Sequence, residues 1–241
     1  MSRYITVFTD FDGTLTYHNV LNLLYENFAG PNHRNFVERW EQGEISIQEE
    51  LEGCFDTIKA ARHEMEFFLD RVYLRPGVSE LINYCQKHDY AFAILSEGLS
   101  WYIEYILRLH GIFDVTIFAN HSHFYDDGVR FSFPWYDPLY PLRGTSKASI
   151  IRKYQMDGSR VIFVGDGLSD TEAAEVADIV FARDHLQEYT TKHGIDSIWF
   201  STIPEIVKHV FINSSLNITN YMSQMRLANS LGDKPGIPIP W

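Results

Sequence analysis

Two aspartates stand at the end of an apolar stretch near the start of the chain. Residues 4–14 read YITVFTDFDGT, so Asp10 and Asp12 are two positions apart and precede a glycine. Because side chains at i and i+2 of a strand point to the same side, the two carboxylates begin as neighbours. Neighbouring anions repel unless one is protonated or a cation lies between them. The pattern indicates a metal-dependent site for an anionic substrate, although an Asp-Gly turn after a strand is the simpler alternative.

Three other segments carry polar groups just after apolar stretches. A serine follows residues 90–95, a lysine begins a predicted helix after Gly-Thr-Ser, and two aspartates lie in the segment GDGLSD. The residues concerned are Ser96, with Glu97 and Gly98 after it, Lys147, Asp166 and Asp170. Taken singly, they are typical of a helix cap, a solvated lysine and a turn. Brought together, carboxylates for Mg²⁺ and a hydroxyl and an ammonium for phosphate oxygens are the groups that phosphoryl transfer needs.

The elements that would position these groups alternate along the chain. Continuous apolar stretches predict buried strands at residues 4–9, 90–95, 115–119, 161–164, 179–181 and 197–200. Helical patterns lie between them at 81–88, 101–110, 146–154 and 170–177. This alternation predicts an α/β fold, a doubly wound and mostly parallel sheet. Ligands of such sheets bind outside the carboxyl ends of the strands, so the four polar segments are expected to converge there.

One long segment interrupts the alternation. Residues 17–72 show no strand pattern, only helical patterns at 19–28, 33–41, 47–55 and 62–71. We expect this segment to form a helical cap inserted into a core of residues 1–16 and 73–210. The residues Asp126-Asp127-Gly128 predict a hairpin turn. The remaining segment, 211–241, is predicted to hold a helix at 211–227 and an extended tail at 232–241.

Composition narrows the class of protein. The 241-residue chain is 45% hydrophobic, as a packed core requires, and carries a net charge of −12. That charge argues against nucleic acid and anionic membranes as partners, and it means that an anionic substrate needs a local cation. The chain has no signal-peptide pattern or transmembrane stretch, and its two cysteines are far apart, which predicts a cytoplasmic protein. We expect a monomer or a homodimer.

The four polar segments together resemble a known family. DFDGT, the serine after a strand, the isolated lysine and GDGLSD occur in the order found in phosphatases of the haloacid dehalogenase superfamily. A helical (C1-type) cap between the first and second segments resembles the phosphoserine-phosphatase branch. Within it, WEQGEIS, LRPGV, LSEGLSWYI and ADIVFAR resemble bacterial and archaeal proteins similar to the phosphatase of 2-hydroxy-3-keto-5-methylthiopentenyl-1-phosphate.

The resemblance implies a role for each residue. Asp10 is the expected nucleophile, which forms an aspartyl-phosphate, and Asp12 is the expected general acid and base. The resemblance assigns substrate binding to Thr14, Ser96, Glu97, Gly98 and Lys147. It assigns Mg²⁺ binding to Asp10, Asp12, Asp166 and Asp170, with Asp12 contributing its backbone carbonyl.

The expected function is therefore Mg²⁺-dependent hydrolysis of the phosphate monoester of a small metabolite. Phosphoserine is the second choice of substrate, because the resemblance places a cap glutamate where this chain has the neutral Asn19. Transfer of the phosphoryl group to an acceptor other than water is a further alternative, since it shares the same intermediate. An alternative of another class is a non-catalytic protein that binds a phosphorylated ligand.

Overall fold

The sheet of this protein is built around its first strand. The structure, a computed structural model, describes residues 4–212. Within that range the strands are β1 Ile5–Thr9, β2 Ala91–Leu99, β3 Thr116–Tyr125, β4 Gly128–Ser132, β5 Arg160–Gly165, β6 Ile179–Ala182 and β7 Ile198–Trp199. They form a seven-stranded sheet in the order β4-β3-β2-β1-β5-β6-β7, in which only β4 pairs antiparallel. The predicted α/β, mostly parallel sheet is confirmed.

β1 lies at the centre of the sheet, and its apolar side chains pack into the core on both faces. Val7 packs into one core cluster and Phe8 into another, and both side chains are fully buried. Thr9 pairs with Ile94 of β2 on one side and with Val164 of β5 on the other. This register brings the carboxyl ends of β1, β2 and β5 to the same edge of the sheet.

Four helices follow β1 along the chain, within residues 17–72. They are α1 Val20–Phe28, α2 His33–Glu41, α3 Ile47–Phe55 and α4 Arg62–Leu69. The chain leaves the core after Thr16 and returns at Leu74, and these two residues form an isolated antiparallel β-bridge. That bridge supports the predicted cap of residues 17–72, although the division into core and cap stays a prediction.

The remaining helices cover the sheet. They are α5 Val78–Lys87, α6 Ser100–Leu109, α7 Lys147–Met156, α8 Thr171–Val176, α9 Asp184–His193 and α10 Ile203–Ile212. α9 was not predicted, because its sequence DHLQEYTTKH buries only Leu186 and Thr190 and so lacks an apolar stripe. Over residues 4–212, no helix combines the length and apolar character needed to cross a membrane.

Two strands are longer than the sequence predicted. β2 continues through Ser96 to Leu99, with a register shift against β3 between Leu95 and Leu99. β3 runs from Thr116 to Tyr125, so the predicted strand at 115–119 and the first strand of the hairpin are one element. The first two residues of the helix predicted at 211–227 belong instead to α10, which runs from Ile203 to Ile212. The rest of that predicted helix and the tail lie outside the described residues.

Candidate active site

Three aspartates converge at the carboxyl ends of β1 and β5. Asp10 follows β1, and its backbone N–H donates to the carbonyl of Val164 at 2.8 Å. Asp166 follows β5, and Asp170 ends the short 3₁₀ helix Leu168–Asp170. Each of the three carboxylates offers an oxygen, and these oxygens lie within 4.8 Å of one another. The structure therefore brings together residues that are 160 positions apart.

One buried lysine lies among them. Lys147 is the first residue of α7, and its Nζ donates to Asp10 Oδ1 at 2.8 Å and to Asp170 Oδ1 at 2.5 Å. The side chain is only 2% exposed, and that of Asp170 is completely buried. Burial by itself lowers the pKa of Lys147, but the two carboxylates outweigh it and raise that pKa above its usual value. Lys147 is thus a fixed cation at the strand ends.

The site holds more negative than positive charge. Burial raises the pKa of Asp10 well above its usual value, and repulsion from Asp170 and Asp166 adds to this effect. The pKa of Asp166 rises to about 7, first because the group is desolvated and then because Asp170 lies near. One lysine offsets only part of the charge of three carboxylates. A hard divalent cation with oxygen ligands, such as Mg²⁺, fits this donor set and would lower the repulsion.

Asp12 points away from this cluster. Its Oδ1 accepts from the Val20 N–H at 2.9 Å, where α1 begins, and its Oδ2 accepts from the Tyr102 hydroxyl at 2.5 Å. Desolvation raises the pKa of Asp12 to about 6, and the hydrogen bond from Tyr102 limits the rise. A carboxyl that titrates near neutrality suits proton transfer. Metal binding through the Asp12 backbone carbonyl remains a prediction.

Gly98 and Ser96 lie beside Asp12. The Gly98 N–H donates to Ser96 Oγ at 2.9 Å, and both residues are buried. A Cβ atom at Gly98 would overlap the Tyr102 hydroxyl and Asp12 Oδ2. Glycine at this position therefore allows the Tyr102–Asp12 hydrogen bond to form.

Thr14 and Glu97, predicted to bind substrate, support other site residues. The Thr14 hydroxyl donates to Asp166 Oδ1 at 2.5 Å. Glu97 Oε2 accepts from the backbone N–H groups of Gly144 and Thr145 at 3.1 and 3.2 Å. Thr14 thus orients a candidate metal ligand, and Glu97 holds the loop that precedes Lys147. Glu97 also lines the cavity described next.

A cavity of about 540 Å³ lies between the strand ends and the helices α1–α3. Its core side includes Asp10, Asp12, Ser96, Gly98 and Asp166, and its cap side includes Leu21, Val37, Trp40, Ile47 and Glu50. Arg75 lines it too and donates to the carbonyls of Gly13 and Thr16 at 3.1 and 3.0 Å. Arg75 therefore braces the loop after Asp10.

Two residues of the site, Tyr102 and Glu50, were not predicted from the sequence. Tyr102 lies four positions after Gly98 on a helix whose apolar pattern made it an ordinary core residue. Glu50 occupies the buried face of α3 together with Ile47, Leu51 and Cys54. An acidic residue within an apolar stripe was the available signal for Glu50; no comparable signal marked Tyr102.

Two solved structures illustrate the likeness of fold. A phospho-aspartyl intermediate analogue of phosphoserine phosphatase matches with a TM-score of 0.66 and 20% identity, over 87% of this chain and all of the other. A haloacid-dehalogenase-family hydrolase from Salmonella enterica matches with a TM-score of 0.65 and 15% identity, over 85% and 71%. At these identities the likeness concerns the fold.

Sequence comparison gives the family. Residues 7–175 match the family model described as haloacid dehalogenase-like hydrolase. Proteins from Exiguobacterium sibiricum and Brevibacillus brevis, each named 2-hydroxy-3-keto-5-methylthiopentenyl-1-phosphate phosphatase, are 31% and 27% identical to this chain. Each match covers 86% of this chain and 96% of the relative. The chain therefore belongs to the haloacid dehalogenase-like hydrolases, as a phosphoric monoester hydrolase.

Proposed function

We propose that this protein hydrolyses the phosphate monoester of a small metabolite through an aspartyl-phosphate on Asp10, with Mg²⁺ as cofactor. The observation that carries the proposal is the separation of two carboxylate environments at one end of the cavity. Asp10 lies with Lys147, Asp166 and Asp170, whereas the Asp12 carboxylate is held apart by Tyr102 and Val20. A nucleophile and a proton donor require different surroundings of this kind.

The metal would be held by Asp10, Asp166 and Asp170, whose carboxylate oxygens lie close together. Among the described residues, Lys147 is the basic residue that forms ion pairs with these carboxylates. When bound, Mg²⁺ would offset the negative charge of the phosphoryl group as it approaches these carboxylates. Thr14 would keep Asp166 oriented through its 2.5 Å hydrogen bond.

The first step is attack of Asp10 on phosphorus. Lys147 holds Asp10 Oδ1, so Oδ2 forms the new oxygen–phosphorus bond while the bond from phosphorus to the leaving oxygen breaks. Asp12 gives its proton to that oxygen, and the leaving group departs as an alcohol or enol. Ser96, whose Oγ accepts from the Gly98 N–H, would turn its hydroxyl hydrogen from Asp12 to a phosphoryl oxygen of the substrate.

The second step uses the same groups in reverse roles. Asp12, now ionised, takes a proton from water as the water oxygen bonds to phosphorus. As that bond forms, the bond between phosphorus and Asp10 breaks, which releases inorganic phosphate, frees the Asp10 carboxylate and leaves Asp12 protonated for the next cycle. The Tyr102 hydroxyl and the Val20 N–H stabilise the ionised Asp12 between the two steps.

The cap side of the cavity supports a small, partly apolar leaving group. Leu21, Val37, Trp40 and Ile47 form an apolar wall there, as a methylthio-substituted carbon chain like that named for the relatives would require. Asn19 lines the cavity but uses its side-chain oxygen to cap α1, accepting from the Asn22 N–H at 2.9 Å. A neutral cap residue weighs against phosphoserine, whose ammonium group needs an anion.

The proposal is tested by measuring phosphate release from a panel of phosphorylated metabolites, with Mg²⁺ and with a chelator. We expect turnover that requires Mg²⁺, and a decrease of about 1000-fold or more in kcat for Asp10→Asn, because an amide cannot form the acyl phosphate. Asp157→Asn, an exposed aspartate at the end of α7, is the matched control and should retain full activity. An Asp10→Asn protein that keeps a tenth of the wild-type rate, or turnover unaffected by chelation, would contradict the proposal.

A further inference from the structure

Glu50 is a buried acidic residue on the cap side of the cavity. α3 begins with a capping box, in which Ser46 and Glu49 exchange hydrogen bonds, and this places Glu50 on the inward face of the first turn. The residue is 2% exposed and lines the cavity. Ile47, one helical turn before it, and Leu51 and Cys54 after it are also buried, so the surrounding helix face is apolar.

One oxygen of the Glu50 carboxyl lacks a hydrogen bond of normal geometry. Among the described residues, Glu50 Oε2 is buried and has no such partner. The Tyr25 hydroxyl adjoins this carboxyl and, as a hydrogen-bond donor, lowers its pKa, although the contact falls short of normal hydrogen-bond geometry. An unsatisfied buried polar group is costly, so a polar atom of a ligand in the cavity would be stabilised here.

The groups that face Glu50 make this part of the cavity unsuitable for an anion. Glu97 approaches from β2 and Glu41 from α2, while Tyr25 and Cys54 are its neighbours on α1 and α3. Burial is the main cause that raises the pKa of Glu50, to about 8, with the two glutamates adding to it. The carboxyl is therefore mostly protonated at neutral pH and can donate a hydrogen bond.

The cations of the site lie elsewhere. Lys147 is paired with Asp10 and Asp170, and Arg75 donates to backbone carbonyls of the loop after β1. The histidines of the cavity, His18 and His185, are at exposed positions. Lys147 and Arg143, which is paired with Glu172, act on Glu97, whereas among the described residues the groups that act on the Glu50 carboxyl are Tyr25, Glu97 and Glu41.

We propose that Glu50 is a specificity-determining residue, which hydrogen-bonds an uncharged oxygen of the leaving group, a hydroxyl or a carbonyl. This inference rests on the proposed phosphatase function and adds to it the chemical class of the substrate. The phosphoryl end lies at Asp10, and the uncharged oxygen lies toward α3. Discrimination arises because a site built to bond such an oxygen leaves Glu50 unsatisfied when the oxygen is missing.

The test compares four phosphate monoesters with three-carbon leaving groups. Glycerol 3-phosphate carries hydroxyls, propyl phosphate carries none, 3-phosphoglycerate carries a carboxylate and 3-aminopropyl phosphate an ammonium. Values of kcat/KM are measured for the wild type, Glu50→Gln, Glu50→Leu and the control Glu52→Gln, an exposed glutamate on the same helix.

We expect wild type to prefer glycerol 3-phosphate over both propyl phosphate and 3-phosphoglycerate by about tenfold or more. Glu50→Leu should lose the preference over propyl phosphate, because leucine offers no hydrogen bond. Glu50→Gln should keep that preference, because glutamine, like the protonated acid, is neutral and can donate a hydrogen bond. Glu52→Gln should reproduce the wild-type ratios. Unchanged ratios in Glu50→Leu, or a wild-type preference for the ammonium compound, would overturn the proposal.

Binding separates this inference from the catalytic proposal. The same four compounds are titrated calorimetrically into the Asp10→Asn protein, with and without Glu50→Gln, where turnover plays no part. If no compound is hydrolysed by wild type, the catalytic proposal fails, yet the ratios of binding constants still decide the role of Glu50. If the leucine variant does not fold, the binding constants of the Asp10→Asn protein decide, and equal binding of glycerol 3-phosphate and propyl phosphate refutes the inference.

Discussion

Replacing Glu50 with glutamine should change how the stability of this protein depends on pH. The pKa of this buried carboxyl is raised from an ordinary value of 4.5 to about 8, chiefly because burial penalises its ionised form. A glutamate with a raised folded-state pKa stabilises the fold while it is protonated, and this contribution is lost as pH rises through the folded pKa. Glutamine has nearly the same shape and cannot ionise, so the contribution of this group is constant in the variant.

The magnitude follows from the protons bound in each state. At pH 6 the folded Glu50 holds nearly one proton more than the unfolded chain, and at pH 8 about half a proton more. Integrated at about 1.4 kcal/mol per proton and pH unit, this difference amounts to about 2 kcal/mol between pH 6 and pH 8. The free energy of unfolding of wild type, relative to Glu50→Gln, should fall by that amount over this range.

Urea denaturation at pH 6, 7 and 8 measures this difference directly. Subtracting the variant from wild type removes the contribution of other titrating groups, including Glu97 and Glu41, which face Glu50 and are present in both proteins. Glu52→Gln should show a pH dependence like that of wild type, since this side chain is exposed. Parallel curves for wild type and Glu50→Gln would refute the reasoning that Glu50 is held protonated by burial.

Two further predictions concern the surroundings of Asp12. Tyr102→Phe removes the hydroxyl that donates to Asp12 Oδ2. In steady-state assays kcat should fall about tenfold for an alkyl phosphate but only about threefold for p-nitrophenyl phosphate, because its leaving oxygen needs less help from an acid. Equal losses for the two substrates would contradict the role of Tyr102. Gly98→Ala introduces a Cβ that overlaps the Tyr102 hydroxyl and Asp12 Oδ2, so urea denaturation should show about 1–3 kcal/mol of lost stability, together with lower kcat. A variant with wild-type stability and activity would show that β2 relaxes without cost.

Much of the catalytic centre is predictable because it depends on local patterns. A continuous apolar strand followed by aspartate places Asp10 and Asp166 at strand ends, whatever the rest of the chain does. Parallel strands of one sheet then bring those ends to the same edge, which is a general property of the α/β fold. The helices of the cap were predictable for a similar reason, since their apolar residues recur at helical spacing.

The orientation of individual side chains required the tertiary structure. Glu97 follows the predicted phosphate-binding Ser96, yet its carboxylate accepts from Gly144 and Thr145, which are almost 50 residues away. Asp12 is two positions from Asp10, but Tyr102, 90 residues later, turns it out of the carboxylate cluster. Such contacts depend on how the loops pack on one another, and no local pattern encodes them.

Glu50 also shows that local structure was predictable from the sequence whereas burial was not. The helix at 47–55 was predicted from its helical pattern, and the structure adds the Ser46–Glu49 capping box at its start. That Glu50 is buried beside Tyr25 and Glu97, in the wall of the cavity, follows from how α3 packs in the fold. Helix formation depends on interactions a few residues apart, whereas burial and the pKa of a carboxyl depend on everything that surrounds it in space.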